Sequence, residues 1–463
     1  MKSVCIAAAA LLLAACRPAP GGSTLGRILA ANDTIAVQMQ AVLDDELRHW
    51  YPLCIDTASG GYFSDLNYRW ELDGPQTKMI VSQARHVWSA SNAAMFRHGD
   101  AALIAAAAHG VRFLRERMWD AANGGFFDLV SREGTPLVEE GAPAKTAYGN
   151  AFAIYGLSTY YHASGDTAAL RLAVSTFHWL EQHSYDPAHG GYFQFLTREG
   201  RPFPGGYRNT PPKDQNSTIH LLEAFTSLYE VWPDSVLGSR LTELLHLVRD
   251  VISTPGGYMH LFFTREWTPV VAGAGRDIPY DIDHISFGHD IETAYLMLDA
   301  SEALGLRDDT TTLAAAKTKV DFALRHGWDD AHGGIFDGGE ARKGGGGITV
   351  VRETKEWWAQ VEALNSLLMM SALYPHDGMK YFERFVTQWD FCRRYLIDTL
   401  YGGWYWGGLD KAPGNLRGPK GTIWKADYHT SRAMINCIRR LRTFPFPRTT
   451  SAPANPRATP EPR

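Results

Sequence analysis

The sequence is poor in cysteine, carries little net charge and has no apolar run long enough to span a membrane. Its 463 residues include five cysteines, with no Cys-x-x-Cys pair and no His-Glu-x-x-His motif. This argues against a disulfide framework and against a structural zinc site. The net charge is −5 without a long block of either sign. A nucleic acid partner is therefore not expected, because phosphates demand clustered lysine and arginine.

The N-terminus has the features of a targeting segment. Lys2 precedes an apolar run at residues 6–13, which is too short for a membrane-spanning helix. Residues 13–16 (LAAC) resemble the lipobox of bacterial lipoproteins. This resemblance predicts a signal peptide over residues 1–15 and a lipid on Cys16. An ordinary signal peptide cleaved near this point is the alternative.

The lipobox also predicts the domain order and the location of the protein. Residues 16–30 are predicted to form the lipidated cysteine and a flexible tether, and residues 31–442 one catalytic domain. The tail over residues 443–463 is rich in Pro, Thr, Ala and Arg and is predicted to be disordered. The lipid predicts anchoring in the bacterial cell envelope. Arg17 follows the cysteine in place of an aspartate retention signal, which favours the outer membrane. We expect a monomer, because no additional interface segment is visible.

Six glycine pairs, each followed by a hydrophobic residue, divide the chain into repeats. The first glycines lie 64 to 77 residues apart, at Gly60, Gly124, Gly190, Gly256, Gly333 and Gly402. Such a period indicates one supersecondary unit that is copied and stacked. An aspartate precedes the pair in five copies, at Asp56, Asp120, Asp186, Asp330 and Asp398. Glycine suits a turn that leaves a helix, because it adopts positive φ freely.

Each repeat has room for two helices of different character. Strongly apolar segments, typical of buried helices, are predicted at residues 77–97, 146–163, 215–231, 288–304, 355–372 and 423–441. More polar helices are predicted at residues 31–50, 101–117, 167–183, 236–252, 309–326 and 379–396. Six inner and six outer helices predict an all-α fold, an (α/α)6 barrel. The alternative is an open solenoid. The closed ring is favoured because the first helix lacks an inner partner and the last lacks an outer one.

Polar residues interrupt the apolar inner helices at similar distances after each glycine pair. Similar offsets on symmetry-related helices place side chains in one layer around the axis, where a polar group needs a reason to be buried. The residues concerned are Arg85, Asn150, Asn216, His220, His289, Glu292, Trp357, Trp358, Glu362, Trp424, Tyr428 and His429. A lone helical histidine is usually structural, but three that converge on one cavity indicate a functional site.

Histidine suits proton transfer near neutral pH because its ordinary pKa is about 6.5. Two histidines on opposite sides of a carbon can remove a proton from one face and return it to the other, which fits epimerisation. A glycoside hydrolase would instead need two carboxylates across the scissile bond. Glu223, Asp290, Glu292 and Glu362 keep that alternative open, and so does a sugar-binding lipoprotein without activity.

Six ordered motifs, one on each inner helix, resemble those of the N-acylglucosamine 2-epimerase superfamily. They are residues 83–88 (QARHVW), 148–153 (YGNAFA), 216–224 (NSTIHLLEA), 288–292 (GHDIE), 357–363 (WWAQVEA) and 424–433 (WKADYHTSRA). The resemblance runs from about residue 31 to 441 and is strongest to the cellobiose 2-epimerase branch, which includes mannobiose 2-epimerases. It implies an (α/α)6 barrel that needs no metal or nucleotide.

The resemblance also implies a reaction and a role for each residue. The substrate would be a β-1,4-linked disaccharide, inverted at C2 of its reducing-end sugar through ring opening and a cis-enediolate. His289 and His429 would be the acid/base pair, His220 would assist ring opening, and Arg85 would stabilise the enediolate oxygen. Substrate-binding roles are implied for Asn150, Asn216, Glu292, Trp357, Trp358, Glu362, Trp424 and Tyr428. Relatives that use a similar histidine pair include aldose–ketose isomerases, which remain an alternative.

Overall fold

The computed structural model of the protein describes residues 24–272, 278–306, 309–342 and 347–443, with side chains from residue 33 onward. The predicted signal peptide, Cys16 and the predicted tail beyond residue 443 lie outside the described residues. Within those ranges no helix is both long and apolar enough to cross a membrane.

Twelve α-helices occur in the described part of the chain and alternate between outer and inner positions. The outer helices are α1 (Thr24–Leu53), α3 (Ala101–Phe113), α5 (Thr167–His183), α7 (Ser235–His246), α9 (Thr310–His326) and α11 (Tyr381–Tyr395). The inner helices are α2 (Ile80–Phe96), α4 (Ala147–Ser164), α6 (Gln215–Val231), α8 (Phe287–Ala303), α10 (Trp357–Leu373) and α12 (Tyr428–Thr443).

The inner helices form a closed ring. Each packs against the next in chain order from α2 to α12, and α12 packs back against α2. Among the outer helices, each inner helix from α2 to α10 packs most extensively against the one that follows it in the chain, and α1 fills the outer position beside α12. The (α/α)6 prediction is therefore confirmed. The ring closes as expected from the sequence, since the first and last helices complete each other.

The helix ends follow local sequence. Aspartates cap four outer helices, because the side chains of Asp100, Asp166, Asp234 and Asp309 accept hydrogen bonds from backbone N–H groups of the first turn. Helix α1 begins at Thr24, so residues 24–30 of the predicted tether are helical. The composition of this stretch, with Leu, Arg and Ala, explains the extension because these residues favour helix. Helix α12 begins at Tyr428, five residues later than predicted.

Short antiparallel ladders join successive repeats at one mouth of the barrel, where hairpins also lie. They pair β1 (Lys78–Met79) with β2 (Leu129–Val130), β3 (Lys145–Thr146) with β4 (Phe195–Leu196), β5 (Lys213–Asp214) with β6 (Phe262–Phe263), and β7 (Ile285–Ser286) with β8 (Gly338–Ala341), which also pairs β9 (Ile348–Arg352). Because β1, β3, β5 and β7 each lead directly into an inner helix, the first turns of these helices lie near the hairpins.

A buried lysine fastens the glycine-pair turn in five repeats. The Lys145 ammonium lies 3.1 Å from Asp120 Oδ2 and donates to the carbonyl of Gly124, and the lysine is fully buried. The same ion pair joins Lys78 to Asp56, Lys213 to Asp186, Lys355 to Asp329, and Lys420 to Asp398. The aspartate of the fifth repeat is therefore Asp329 rather than Asp330. We call each of these pairs a turn latch.

The fourth repeat has lost both members of the turn latch. Thr254 occupies the aspartate position, since its N–H bonds to Tyr258 O as that of Asp56 bonds to Gly61 O. Ile285 begins β7 at the position of the lysine and is buried. An uncharged pair has thus replaced a buried ion pair, a change that costs little when both charges leave together.

The glycine pairs themselves are required by geometry. Gly124 and Gly125 have φ values of 69° and 70°, a region that other residues rarely adopt. A Cβ atom on Gly125 would also lie 2.7 Å from the Trp179 indole. The sequence signature therefore reflects both backbone conformation and the close approach of the next outer helix.

Candidate active site

One residue from each inner helix contributes to a buried layer beneath the hairpin mouth. These residues occupy the sixth position of each inner helix from α2 to α10 and the fifth position of α12. In chain order they are Arg85, Phe152, His220, Glu292, Glu362 and Arg432. All six are 5% exposed or less. The Arg85 guanidinium lies 4.5 Å from the centre of the Phe152 ring, and the Phe152 and His220 rings are 4.8 Å apart. The layer is therefore continuous around much of the ring.

Arg85 is held toward the mouth by two further contacts. It donates to Tyr148 Oη at 3.1 Å and to the carbonyl of Trp424 at 3.0 Å. The Tyr148 phenol also lies beside Asn216, and its ring lies 5.3 Å from that of His220. Tyr148 and Asn216 are partly exposed. The structure therefore brings the cation of Arg85 and the imidazole of His220 to one open side of the layer.

Each of the three histidines has its Nδ1 atom engaged by a neighbouring side chain. His220 Nδ1 lies 2.9 Å from Glu223 Oε2, and His429 Nδ1 lies 2.7 Å from Glu362 Oε1. Because an ionised carboxylate accepts and does not donate, Nδ1 carries the proton in both rings. The Nε2 atom of each neutral ring then holds a lone pair. This is the tautomer that a base acting through Nε2 requires.

His289 lies in a different environment. Its Nδ1 atom is 2.9 Å from Ser286 Oγ, and within the described ranges the ring forms no ion pair with a carboxylate. Burial lowers the pKa of His289 to about 3, and the positive charge of Arg85 and any positive charge on His220, His284 or His429 act in the same direction. The ring is therefore neutral across the physiological range. Burial likewise lowers the pKa of His429, although Glu292 opposes that shift.

Arg432 connects the carboxylates that hold the histidines. Its Nη2 atom donates to Glu362 Oε1 at 2.6 Å and also to Glu292, while Nη1 donates to Glu223. Burial raises the pKa of Glu223, but Arg432 and His220 outweigh that effect and bring it to about 2. Burial raises the pKa of Glu362 despite Arg432. One guanidinium thus offsets part of the charge of three buried carboxylates.

The two predicted acid/base histidines meet the same aromatic side chain. The Trp358 ring lies 4.7 Å from the His289 ring and 5.8 Å from the His429 ring. Its indole N–H donates to Glu356, and the side chain is partly exposed. Trp424 is 50% exposed at the same mouth. The two indoles provide flat apolar surfaces next to the histidines.

The structure does not bring three of the predicted substrate-binding residues to this opening. Asn150 is fully buried, and its amide bonds the backbone of Phe126 and Thr146. It fastens the second glycine turn to α4, as Gln83 and Gln360 fasten theirs. Its polar atoms are therefore already used by the fold.

Trp357 and Tyr428 are also buried away from the open side. The Trp357 ring is 3% exposed and packs 4.6 Å from that of Trp406. Tyr428 is fully buried and donates to Glu223 at 2.5 Å. Tyr428 therefore supports the carboxylate of His220 from below. Glu292 and Glu362 lie in the layer, but Arg432 occupies their oxygens.

The sequence alone does not indicate the roles of Tyr148, Ser286, Tyr295 and Arg432. Tyr148 stands two residues before Asn150 and occupies the position on the open side that was assigned to that asparagine. Arg432 follows His429 by three residues, so the two share a helix face. An arginine three residues after a histidine on an apolar helix is the sequence feature from which the charge network could be predicted.

A group of ligand-type atoms occurs in the layer, since Glu292, Glu362 and His429 offer atoms within 4.8 Å of one another. Arg432 hydrogen-bonds both carboxylates. The guanidinium therefore supplies the positive charge that a metal ion would otherwise bring to these oxygens, and the residues present do not fit a metal centre.

Comparison with known proteins agrees with this geometry. A cellobiose 2-epimerase from Ruminococcus albus is 30% identical over 409 residues, covering 87% of this chain and 97% of that protein. The solved cellobiose 2-epimerase of Spirochaeta thermophila superposes with a TM-score of 0.77 at 30% identity, covering 91% and 99% of the two chains. A D-mannose isomerase from Marinomonas mediterranea is 24% identical over 413 residues, covering 87% and 97%. The family model of N-acylglucosamine 2-epimerase matches residues 61–433, and the chain therefore belongs to the N-acylglucosamine 2-epimerase family.

Proposed function

We propose that this protein is a carbohydrate 2-epimerase that inverts C2 of the reducing-end sugar of a β-1,4-linked disaccharide. The observation that carries the proposal is the placement of His289 and His429 on different inner helices, both against the Trp358 ring. Family membership supports an epimerase or isomerase. The similarity to cellobiose 2-epimerases supports the disaccharide substrate.

In the proposed mechanism, the sugar first opens to expose its carbonyl carbon C1. His220, oriented by Glu223, assists the proton transfer of ring opening. One histidine then takes the C2 proton on Nε2, and the electron pair moves into a cis-enediolate with negative charge on the C1 oxygen. Arg85 stabilises that charge. The other histidine gives a proton to the opposite face of C2, and the ring closes on the epimer.

His289 and His429 are suited to different steps of the reaction, namely removal of the C2 proton and its return. His289 is bonded to a neutral hydroxyl and has a pKa lowered to about 3, so it is present as the free base. Burial lowers the pKa of His429 as well, but the adjoining carboxylates of Glu362 and Glu292 stabilise the imidazolium ion once the ring has taken a proton. We assign His289 as the base and His429 as the acid in one direction, with roles reversed in the other.

An aldose–ketose isomerase is the second candidate. The relative from Marinomonas mediterranea named a D-mannose isomerase supports it, because delivery of the proton to C1 instead of C2 yields a ketose. A hydrolase is disfavoured. Its reaction needs two available carboxylates, whereas Glu223, Glu292 and Glu362 are all bonded to Arg432.

One chromatographic experiment separates these functions. The purified protein is incubated with cellobiose or with β-1,4-mannobiose, without added metal or nucleotide. We expect disaccharides whose reducing end has exchanged glucose for mannose or the reverse. A ketose product would identify the isomerase, released monosaccharides a hydrolase, and unchanged sugar a binding protein; each would overturn the proposal. The variant with both His289→Ala and His429→Ala is the matched inactive control.

A further inference from the structure

A second polar cavity opens at the end of the barrel opposite the hairpins. Its volume is about 350 Å³, within the range of small-molecule sites. It is lined by the C-terminal halves of the inner helices, among them Asn92 of α2, Thr159 of α4 and Asn436 of α12. The histidines lie in the first two turns of the inner helices. The cavity and the candidate active site therefore occupy opposite mouths.

The two mouths share a partition. Arg432, Glu223 and Tyr295 line the floor of the cavity, and the same side chains hold the histidine network on the other side. These residues are 5% exposed or less. The cavity is therefore a separate chamber rather than an extension of the active site.

Several polar side chains in the chamber have hydrogen-bonding capacity that the protein does not use. Asn92 is 8% exposed and lines the cavity. Its amide has no hydrogen-bond partner in the described part of the chain. The same is true of the Asn436 amide and of the carboxylates of Glu230 and Asp299, which also line it. A buried amide without a partner is unfavourable, so the Asn92 amide calls for a ligand that both donates and accepts. The carboxylates of Glu230 and Asp299 are exposed at the rim and can accept hydrogen bonds from the same ligand.

The walls add aromatic surface to these polar groups. The Trp88 and Tyr155 rings lie 5.3 Å apart and both line the cavity, as does Tyr295. The carboxylates of Glu230, Asp299 and Glu302 also line the cavity and are exposed at its rim. These carboxylates disfavour an anionic ligand. A bare metal cation would satisfy the carboxylates but leave the two amide NH2 groups without acceptors.

We propose that this chamber binds a neutral, monosaccharide-sized polyol, with its hydroxyls bonded to Asn92, Asn436 and the rim carboxylates and its apolar face against Trp88 and Tyr155. Hydroxyl groups donate to carboxylates and both donate to and accept from amides, so they match the unused groups. The inference does not rest on the epimerase reaction, because no residue of the histidine mouth is needed for it.

Calorimetric titration with methyl α-D-mannopyranoside tests the proposal. This glycoside has no free anomeric carbon, so the protein cannot open its ring, and turnover does not interfere. We expect saturable binding that Arg85→Ala at the other mouth leaves in place. Asn92→Leu and Asn436→Leu should each weaken that binding at least about tenfold. Asn209→Leu, the same change at an exposed asparagine, should leave it unaltered.

Two controls keep the test decisive. Each variant is compared by circular dichroism and thermal melting, and Asp299→Asn at the rim replaces any asparagine variant that does not fold. Loss of binding in Arg85→Ala together with full binding in the Asn92 and Asn436 variants would place the sugar at the histidine mouth and overturn the proposal. Absence of sugar binding would also overturn the proposal. So would a chamber that binds spermidine instead of the sugar, with that binding abolished in the Asn92 variant.

Discussion

Oε1 of Glu362 lies 2.6 Å from Nη2 of Arg432, and the same oxygen lies 2.7 Å from Nδ1 of His429. A guanidinium and an imidazole therefore share one acceptor atom. The position of the arginine fixes the carboxylate, and the carboxylate fixes the tautomer and orientation of the histidine. The charge network beneath the mouth is thus part of the proposed proton-transfer apparatus as well as of the core.

Replacing Arg432 by methionine should strongly destabilise the protein. Three buried carboxylates would lose their shared cation, and removing one partner of a buried ion pair typically costs about 3–5 kcal/mol. Urea unfolding measures the change. Arg442→Met is the matched control, because Arg442 is exposed on the same helix, and a change within about 0.5 kcal/mol is expected there. Equal stability of the two variants would contradict the role given to Arg432.

The substitution Glu362→Gln should lower turnover more than it weakens substrate binding. A glutamine has no charge to stabilise the imidazolium form of His429, and general acid–base catalysis contributes about 10²–10⁴-fold. We expect kcat to fall within that range while KM changes little. Tyr295→Phe, which removes a bond of 2.9 Å to the other oxygen of Glu362, should have a much smaller effect on kcat. A glutamine variant with normal kcat would show that the carboxylate charge is not needed.

The acid limb of the pH–rate profile should lie well below the ordinary histidine pKa of 6.5. The pKa of His289 is lowered to about 3, so its neutral, proton-accepting form persists as the pH falls from 8 to 5. We expect no decline in kcat/KM as the pH falls across that interval, provided that circular dichroism shows the protein to be folded. A loss of activity centred near pH 6.5 would mean that an unshifted histidine is the essential base.

The same shift predicts how stability depends on pH. Between about pH 6.5 and pH 3 the unfolded chain binds a proton at His289 that the folded chain does not. Stability should therefore fall as the pH is lowered through this window. Thermal melting of the wild type and of His289→Gln should converge as the pH falls. Parallel curves over the whole window would contradict the lowered pKa.

The uncharged pair in the fourth repeat suggests a test of the turn latches. Asp120→Asn leaves the Lys145 ammonium buried without its counter-ion, and a loss of about 3–5 kcal/mol is expected. The double variant Asp120→Thr with Lys145→Ile copies the pair found in the fourth repeat, Thr254 and Ile285. It should recover much of the loss in urea unfolding. A double variant less stable than Asp120→Asn would show that the fourth repeat depends on other compensation.

The lipid anchor stays a prediction of the sequence. Cys16→Ala should move the protein from the membrane fraction to the soluble fraction of a bacterial host, and metabolic labelling with a fatty acid should be lost. Cys5→Ala, within the predicted signal peptide, is the matched control and should leave both unchanged. Membrane attachment of the Cys16→Ala protein would contradict the lipobox.

The sequence alone predicts the helical architecture and places most of the named residues near the hairpin end of the barrel, because apolar periodicity and the glycine pairs are local signals. The sequence alone was insufficient where the rotation of a helix about its axis decides which side chain faces the opening. Asn150 and Phe152 are the fourth and sixth residues of α4, and two residues correspond to about 200° around a helix. Counting from the glycines therefore assigned the site to Asn150, which fastens a turn. The tertiary partners of Trp357 and Tyr428 were likewise invisible to local patterns.

Closure of the ring by α1 beside α12 has a consequence for orientation. Trp50 near the end of α1 lies close to Gly421, just before α12, so the two helices run antiparallel. The beginning of α1 and the end of α12 are then both directed away from the hairpins. A chain tethered at Cys16 would stand with its histidine mouth facing outward from the lipid surface, open to sugars that diffuse past it.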